Sequence, residues 1–192
     1  MSVTVPDLLW TRLVTLTECL DATLNHYDAP TCRTFVAPGG PPAWDVCCDC
    51  HEGEGQAWVQ VQRVYATDNF PAEQTGANRC RPAEFAASIS MGVLRCAATL
   101  DDAAEIPSAD RLIADASKVQ RDRVAMYDAL TCCFLDDADP GTFVVGAWTP
   151  LGPAGGCVGG SIEFTLQFPN CRCPEPSDGF GLGGFGVQPF GA

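Results

Sequence analysis

The chain has 192 residues, with 11 basic side chains against 24 acidic ones and a net charge of -13. That balance excludes a positive footprint for nucleic acid or for an anionic lipid surface. At 46% hydrophobic residues it can bury a core of its own, and no run approaches the ~18 apolar residues of a membrane-spanning helix.

In chain order, the first element predicted is a helix over 7–27. Pro6 and Asp7 suit its start, and Leu9, Leu13, Leu16, Leu20, Leu24 and Tyr27 recur at gaps of three and four. Residues 31–37 read as a short strand, closed by the run Pro38-Gly39-Gly40-Pro41-Pro42. After the cysteine-laden stretch from Trp44 to Gly55, residues 57–67 form a second strand, rich in β-formers such as Val59, Val61, Val64 and Tyr65. A polar loop over 68–84 leads to a longer strand, 85–99. There Phe85, Ala87, Ile89, Met91 and Val93 share one face.

An acidic turn, 101–107, precedes a second helix over 108–135, with Ser108 as its cap. Its apolar stripe is Leu112, Ala116, Val119, Met126, Leu130 and Cys133, and Arg123 occupies the skipped place. A charge there snorkels or finds a partner. Residues 142–149 predict a strand, 150–160 a Gly/Pro-rich connection, and 161–168 a strand in which Ile162, Phe164, Leu166 and Phe168 alternate with polar residues. Strands in runs, set apart from the helices, predict an α+β fold. Its sheet is mostly antiparallel and flanked by two long helices, all within a domain over 1–173.

Residues 174–192 differ. Phe180, Phe185 and Phe190 lie five residues apart in a glycine-rich background, a period that matches neither a helix nor a strand face. Such a segment forms no core of its own. Two readings stand open: a disordered terminus, or a docking arm whose phenylalanines fill pockets on a neighbouring subunit.

Twelve cysteines are the usage of a secreted disulfide scaffold or a metal protein. Yet Met1 to Trp10 carries no basic n-region, apolar h-region or cleavage site, so synthesis in the cytoplasm without a Sec route is expected. Catalysis is not expected, because the nucleophile-elbow, P-loop, dinucleotide and zinc-protease motifs are all missing. His51 adjoins Cys50 and Glu52, but sequence neighbours rarely face each other. A zinc site could draw on Cys47, Cys48, Cys50, His51, Cys171 and Cys173. Its Cys-Cys-x-Cys and Cys-x-Cys spacings are poor for tetrahedral ligation, so no metal and no cofactor is expected. A thiol-redox enzyme lacks its Cys-x-x-Cys before a helix. The favoured division is a disulfide cluster drawn from Cys32, Cys47, Cys48, Cys50, Cys80, Cys157, Cys171 and Cys173, with Cys19, Cys96, Cys132 and Cys133 as small core side chains.

Three segments carry a resemblance: CCDCHEGEGQAWVQV (Cys47 to Val61), MGVLRCAATL (Met91 to Leu100) and GAWTPLGPAGGCVGGSIEFTLQF (Gly146 to Phe168). With the order of elements, they resemble the Cys-rich head-to-tail connector proteins of long-tailed actinobacterial phages, across residues 7–173. The plan of elements is most similar to the tail terminator family.

The resemblance implies a structural virion protein of the neck, assembled in the host cytoplasm. It would form a hexameric ring that caps the tail tube. Its partners would be its own copies, the major tail-tube protein and a head-side connector or stopper. The genome would pass the lumen without specific binding, and no membrane is involved. Such a lumen benefits from acidic lining, for which Asp101, Asp102, Glu105, Asp136, Asp137 and Asp139 are candidates. A head-closure or tail-completion protein is the neighbouring alternative, and a small zinc-binding module the alternative of another class.

Overall fold

A computed structural model describes residues 8–40, 55–74, 84–98, 106–134, 142–154 and 156–169. The elements in chain order are α1 (Leu8–His26), β1 (Arg33–Val36), β2 (Gln56–Thr67), β3 (Glu84–Cys96), α2 (Ala109–Asp128) running into a π-helical segment (Ala129–Phe134), β4 (Phe143–Ala154) and β5 (Cys157–Pro169). This is an α+β fold with one five-stranded mixed sheet in the order β1-β2-β3-β5-β4. The β2–β3, β3–β5 and β4–β5 pairs are antiparallel, and β1 lies parallel to β2. A parallel pair cannot be joined by a tight hairpin, and β1 and β2 are separated in sequence by residues 37–55.

The core is built on one face of the sheet. Leu13, Leu16, Leu20 and Leu24 of α1 join Val59 of β2, Ile89, Met91 and Val93 of β3, and Ile162, Phe164 and Leu166 of β5 in a single buried cluster. Met126, Leu130 and Phe134 enter it from α2 and the π-helical segment. The periodicities of α1, β3 and β5 therefore point inward as the sequence predicts. The opposite face is mixed. At one end Ala37, Trp58, Leu94 and Cys157 form a smaller apolar cluster. Further along, Gln62 Nε2 donates to Glu163 Oε1 at 3.0 Å, and Ser88 Oγ to Gln62 Oε1 at 3.3 Å.

Two tryptophans are seated on glycines of neighbouring strands. Trp58 pairs directly with Gly92, and its ring occupies the space where a Gly92 side chain would begin. The Trp148 indole covers Gly160 in the same way on the core side. In both places the missing Cβ is what admits the ring.

Three expectations need correction. First, the inward stripe of α2 is not Leu112, Ala116 and Val119. The buried residues of that helix are Asp115, Asp122, Ala125 and Met126, and Leu112 is 48% exposed. Ser108 does cap the helix, accepting from the Arg111 amide. Arg123 bonds Gln120 on its own helix, and the charge that finds a distant partner is Asp122. Second, residues 150–160 are not a loose connection. β4 continues through Pro150 and Leu151, pairing with Gly160 and Gly159 of β5. Register shifts between Val145 and Trp148 and between Leu151 and Ala154 absorb the extra residues. Third, Cys19 and Cys133 are not core thiols. They form a disulfide, with Cα atoms 5.8 Å apart, that ties α1 to the π-helical segment.

Candidate functional site

The α2 helix and the β4–β5 hairpin diverge at one end of the sheet and leave a cleft of about 460 Å3. Leu112, Asp115, Ala116, Val119 and Gln120 form its helical wall. Trp148, Pro150, Leu151, Pro153 and Val158 form the hairpin wall, and Ala97 and Ala98 close the end of β3. The lining is mainly apolar, as ligand-binding clefts are. The divergence follows from sequence. Ala125, Met126, Ala129 and Leu130 hold the C-terminal half of α2 against the sheet, while its N-terminal half has mostly exposed residues, including Ile113 at 67%.

Two polar atoms inside this wall lack hydrogen-bond partners. Asp115 is 6% exposed. Its Oδ2 accepts from the Ala98 amide at 2.9 Å, whereas Oδ1 accepts no hydrogen bond and has Arg111 Nε 3.7 Å away. The Trp148 indole Nε1 is buried and donates to nothing. Buried polar atoms are normally satisfied; these two are exceptions, and both are closed off beneath the cleft surface. Arg111 is an exposed side chain, so its attraction to Asp115 is weak.

A second, shallower hollow lies between α1 and the β1 entry, lined by Glu18, Asp21, Cys32 and Arg33 among others. Its polar groups are largely engaged: Thr34 Oγ1 donates to Asp21 Oδ1 at 2.9 Å, and Arg33 forks onto Gln56 Oε1 at 3.1 and 2.7 Å.

Of the cysteines expected in a cluster, Cys32 and Cys157 lie on described elements and both are disulfide-bonded. Cys47, Cys48, Cys50, Cys80, Cys171 and Cys173 lie outside the described residues. Cys96, read from sequence as a core thiol, is also disulfide-bonded, and Cys132 is a free, exposed thiol. The division of cysteines into core thiols and bridge formers therefore fails for Cys19, Cys96 and Cys133, which are disulfide-bonded, and for Cys132, which is exposed and not in the core. Position on a helix or strand face does not report what a neighbouring element brings within bonding distance. Among the described residues no group of three or more His, Cys, Asp or Glu is arranged to hold a metal ion. The candidate lumen acids (Asp101, Asp102, Glu105, Asp136, Asp137, Asp139) and the arm residues Phe180, Phe185 and Phe190 also lie outside the described residues.

Between the end of α1 and the end of α2, Tyr27 donates its hydroxyl to Asp128 Oδ2. That hydrogen bond, then burial and the negative charges of Asp128 and Cys132, hold the phenol above its usual range.

The cleft is the feature that sequence reasoning missed. A signal for it existed in the spacing of Asp115, Asp122, Met126 and Ala129, with gaps of seven, four and three. This puts two carboxylates on the same helix face as the core row. The chain matches no protein-family model and no curated protein.

Proposed function

We propose that the protein is a structural subunit of a tailed-phage neck, and specifically the tail terminator that forms a ring on the tail tube and joins it to the head connector. The observation that carries this reading is the order and packing of the elements. One helix, three strands, a second helix and two strands make a single sheet, and this helix–strands–helix–strands order is the plan implied by the resemblance in Cys47–Val61, Met91–Leu100 and Gly146–Phe168.

The surface supports assembly. Trp10 on α1, Ile106 and Ile113 beside and on α2, and Val144 on edge strand β4 are 55%, 80%, 67% and 45% exposed. These lie on different elements, as a ring requires, since a closed ring joins two unlike surfaces of each subunit. Edge strand β4 is guarded by Pro150, Pro153 and its register shifts, devices that discourage open-ended strand pairing.

The test is assembly with the tail tube. The purified full chain is added to polymerising tail-tube protein, and tube lengths and ends are read by electron microscopy. A terminator stops elongation and leaves a ring at one end. A chain that instead binds the portal and stopper and leaves tubes to grow belongs to the head-closure position.

A further inference from the structure

We infer that Cys32, Cys96 and Cys157 are bonded, one each, to Cys47, Cys48 and Cys50, so that three disulfides fasten the cysteine-laden run to one end of the sheet. The inference goes beyond the neck reading and does not rest on it. Cys32, Cys96 and Cys157 are all disulfide-bonded. Among the described residues, the bridge with both its ends in place is Cys19–Cys133, and Cys132 is a free thiol. The three partners therefore come from the six remaining cysteines, Cys47, Cys48, Cys50, Cys80, Cys171 and Cys173.

The sheet sorts these six by distance. Cys96 and Cys157 sit opposite each other where β3 ends and β5 begins. Leu94 pairs with Gln56, and Gln56 with Arg33, so the starts of β2 and β1 lie at the same end. Cys32 is there too: its amide donates to the Gly55 carbonyl at 3.1 Å, and its Sγ is 3.0 Å from the same oxygen. At the opposite end Glu84 pairs with Thr67 and with Pro169. Between the two ends β3 runs for 13 residues in unbroken register with β5. At ~3.4 Å per residue the ends are about 40 Å apart.

Chain length then excludes three of the six. Cys80 precedes Glu84 by four residues, and Cys171 and Cys173 follow Pro169 by two and four. A residue spans at most ~3.6 Å, so none of the three lies more than about 14 Å from that end. A disulfide joins Cα atoms at most ~7 Å apart. The combined reach is about half the distance to Cys96 or Cys157, and Cys32 lies on their side. Cys47, Cys48 and Cys50 meet no such limit. They precede Gly55 by eight, seven and five residues, and Gly55 rests on the end of β3, where a side chain on it would meet the Leu94 carbonyl. Three bonded cysteines thus have three partners within reach.

Two consequences follow. The pairing uses every thiol of the Cys47–Cys50 run, so in the oxidised chain that run offers no thiolate to a zinc ion. It also leaves Cys80, Cys171 and Cys173, an odd number, so at least one of them has no partner within its own chain. Each bridge forms as two thiols give up two protons and two electrons. Glutathione disulfide accepts them and leaves as two glutathione thiols.

The experiment maps the bonds directly. The full chain is oxidised with glutathione disulfide, capped with N-ethylmaleimide and digested without reduction by trypsin, Asp-N and Glu-C. Linked peptides are read by mass spectrometry. Each of Cys32, Cys96 and Cys157 should be joined to Cys47, Cys48 or Cys50. Cys132 and at least one of Cys80, Cys171 and Cys173 should carry maleimide or glutathione. A variant combining C80S, C171S and C173S should keep the same three links. A bond from Cys32, Cys96 or Cys157 to Cys80, Cys171 or Cys173 overturns the inference. So does a cap on any of those three in either protein, or a chain with all twelve cysteines in internal bridges.

Discussion

Arg95 of β3 and Asp122 of α2 meet as a buried two-point pair, with Nε 2.9 Å from Oδ2 and Nη2 2.6 Å from Oδ1. The arginine extends the same fork to the backbone, donating to the Pro30 and Ala29 carbonyls, each at 2.6 Å. One side chain thus fastens the sheet, the second helix and the exit from α1. Burying two charges is offset only when geometry and additional hydrogen bonds are good, and here both conditions hold. Removing one partner strands the other. Asp122→Ala and Arg95→Met are each expected to cost about 3–5 kcal/mol of unfolding free energy, read from urea midpoints. An apolar pair, Arg95→Met with Asp122→Leu, should recover a large part of that loss. A double-variant loss equal to the sum of the two single losses would show that the charges are not coupled.

The Cys19–Cys133 bridge spans 114 residues of sequence. Constraining so long a loop in the unfolded chain gives a stabilisation of about 2–5 kcal/mol. Replacing both cysteines by alanine should lower stability by that amount without changing the secondary structure. In the double variant, dithiothreitol should then lower the melting temperature less than it does in the unaltered chain. An identical dithiothreitol effect in both would mean that this bridge contributes nothing.

Gly92→Ala should be destabilising out of proportion to its size. A methyl group there would collide with the Trp58 ring and the Gly160 carbonyl, and overpacking of this kind costs about 1–3 kcal/mol. Trp58→Leu should relieve part of the loss when combined with it, measured as a coupling between the two changes in denaturant unfolding. Strict additivity would contradict the seating of the ring on the glycine.

The Tyr27 phenol is held above its ordinary value of 10.0 by its hydrogen bond to Asp128. A group whose folded value is raised adds stability that is fully present below the unfolded value and lost as pH rises through the folded one. The advantage of the unaltered chain over Tyr27→Phe should therefore persist through neutral and mildly alkaline pH and fade only above pH 10.0. Denaturant midpoints of both proteins across that interval check it, and an advantage that fades at neutral pH would contradict the assignment.

Much of the fold was legible because one face of each element is buried. The leucine row of α1 and the alternation in β3 and β5 each read directly as an inward face. What did not read depended on partners distant in sequence. The burial of Asp122 had no local sign, because its counter-charge Arg95 lies 27 positions away. Cys19 and Cys133 looked like small apolar residues because nothing local brings them together. The β4–β5 hairpin was hidden because Pro150, Gly152 and Pro153 carry turn chemistry, while the pairing of Leu151 with Gly159 depends on the partner strand. The cleft was missed for the same reason: its walls come from α2 and a hairpin that sequence divided into a strand and a connection.

The central claim is that this chain is a ring subunit, and the most direct measurement is its native mass together with its projected shape. Mass photometry of the purified full chain, with electron microscopy of the same sample, should show a hexameric ring of about 122 kDa, six copies of 20.3 kDa. A protein that remains a 20.3 kDa monomer at every concentration, and that leaves growing tail tubes uncapped, contradicts it.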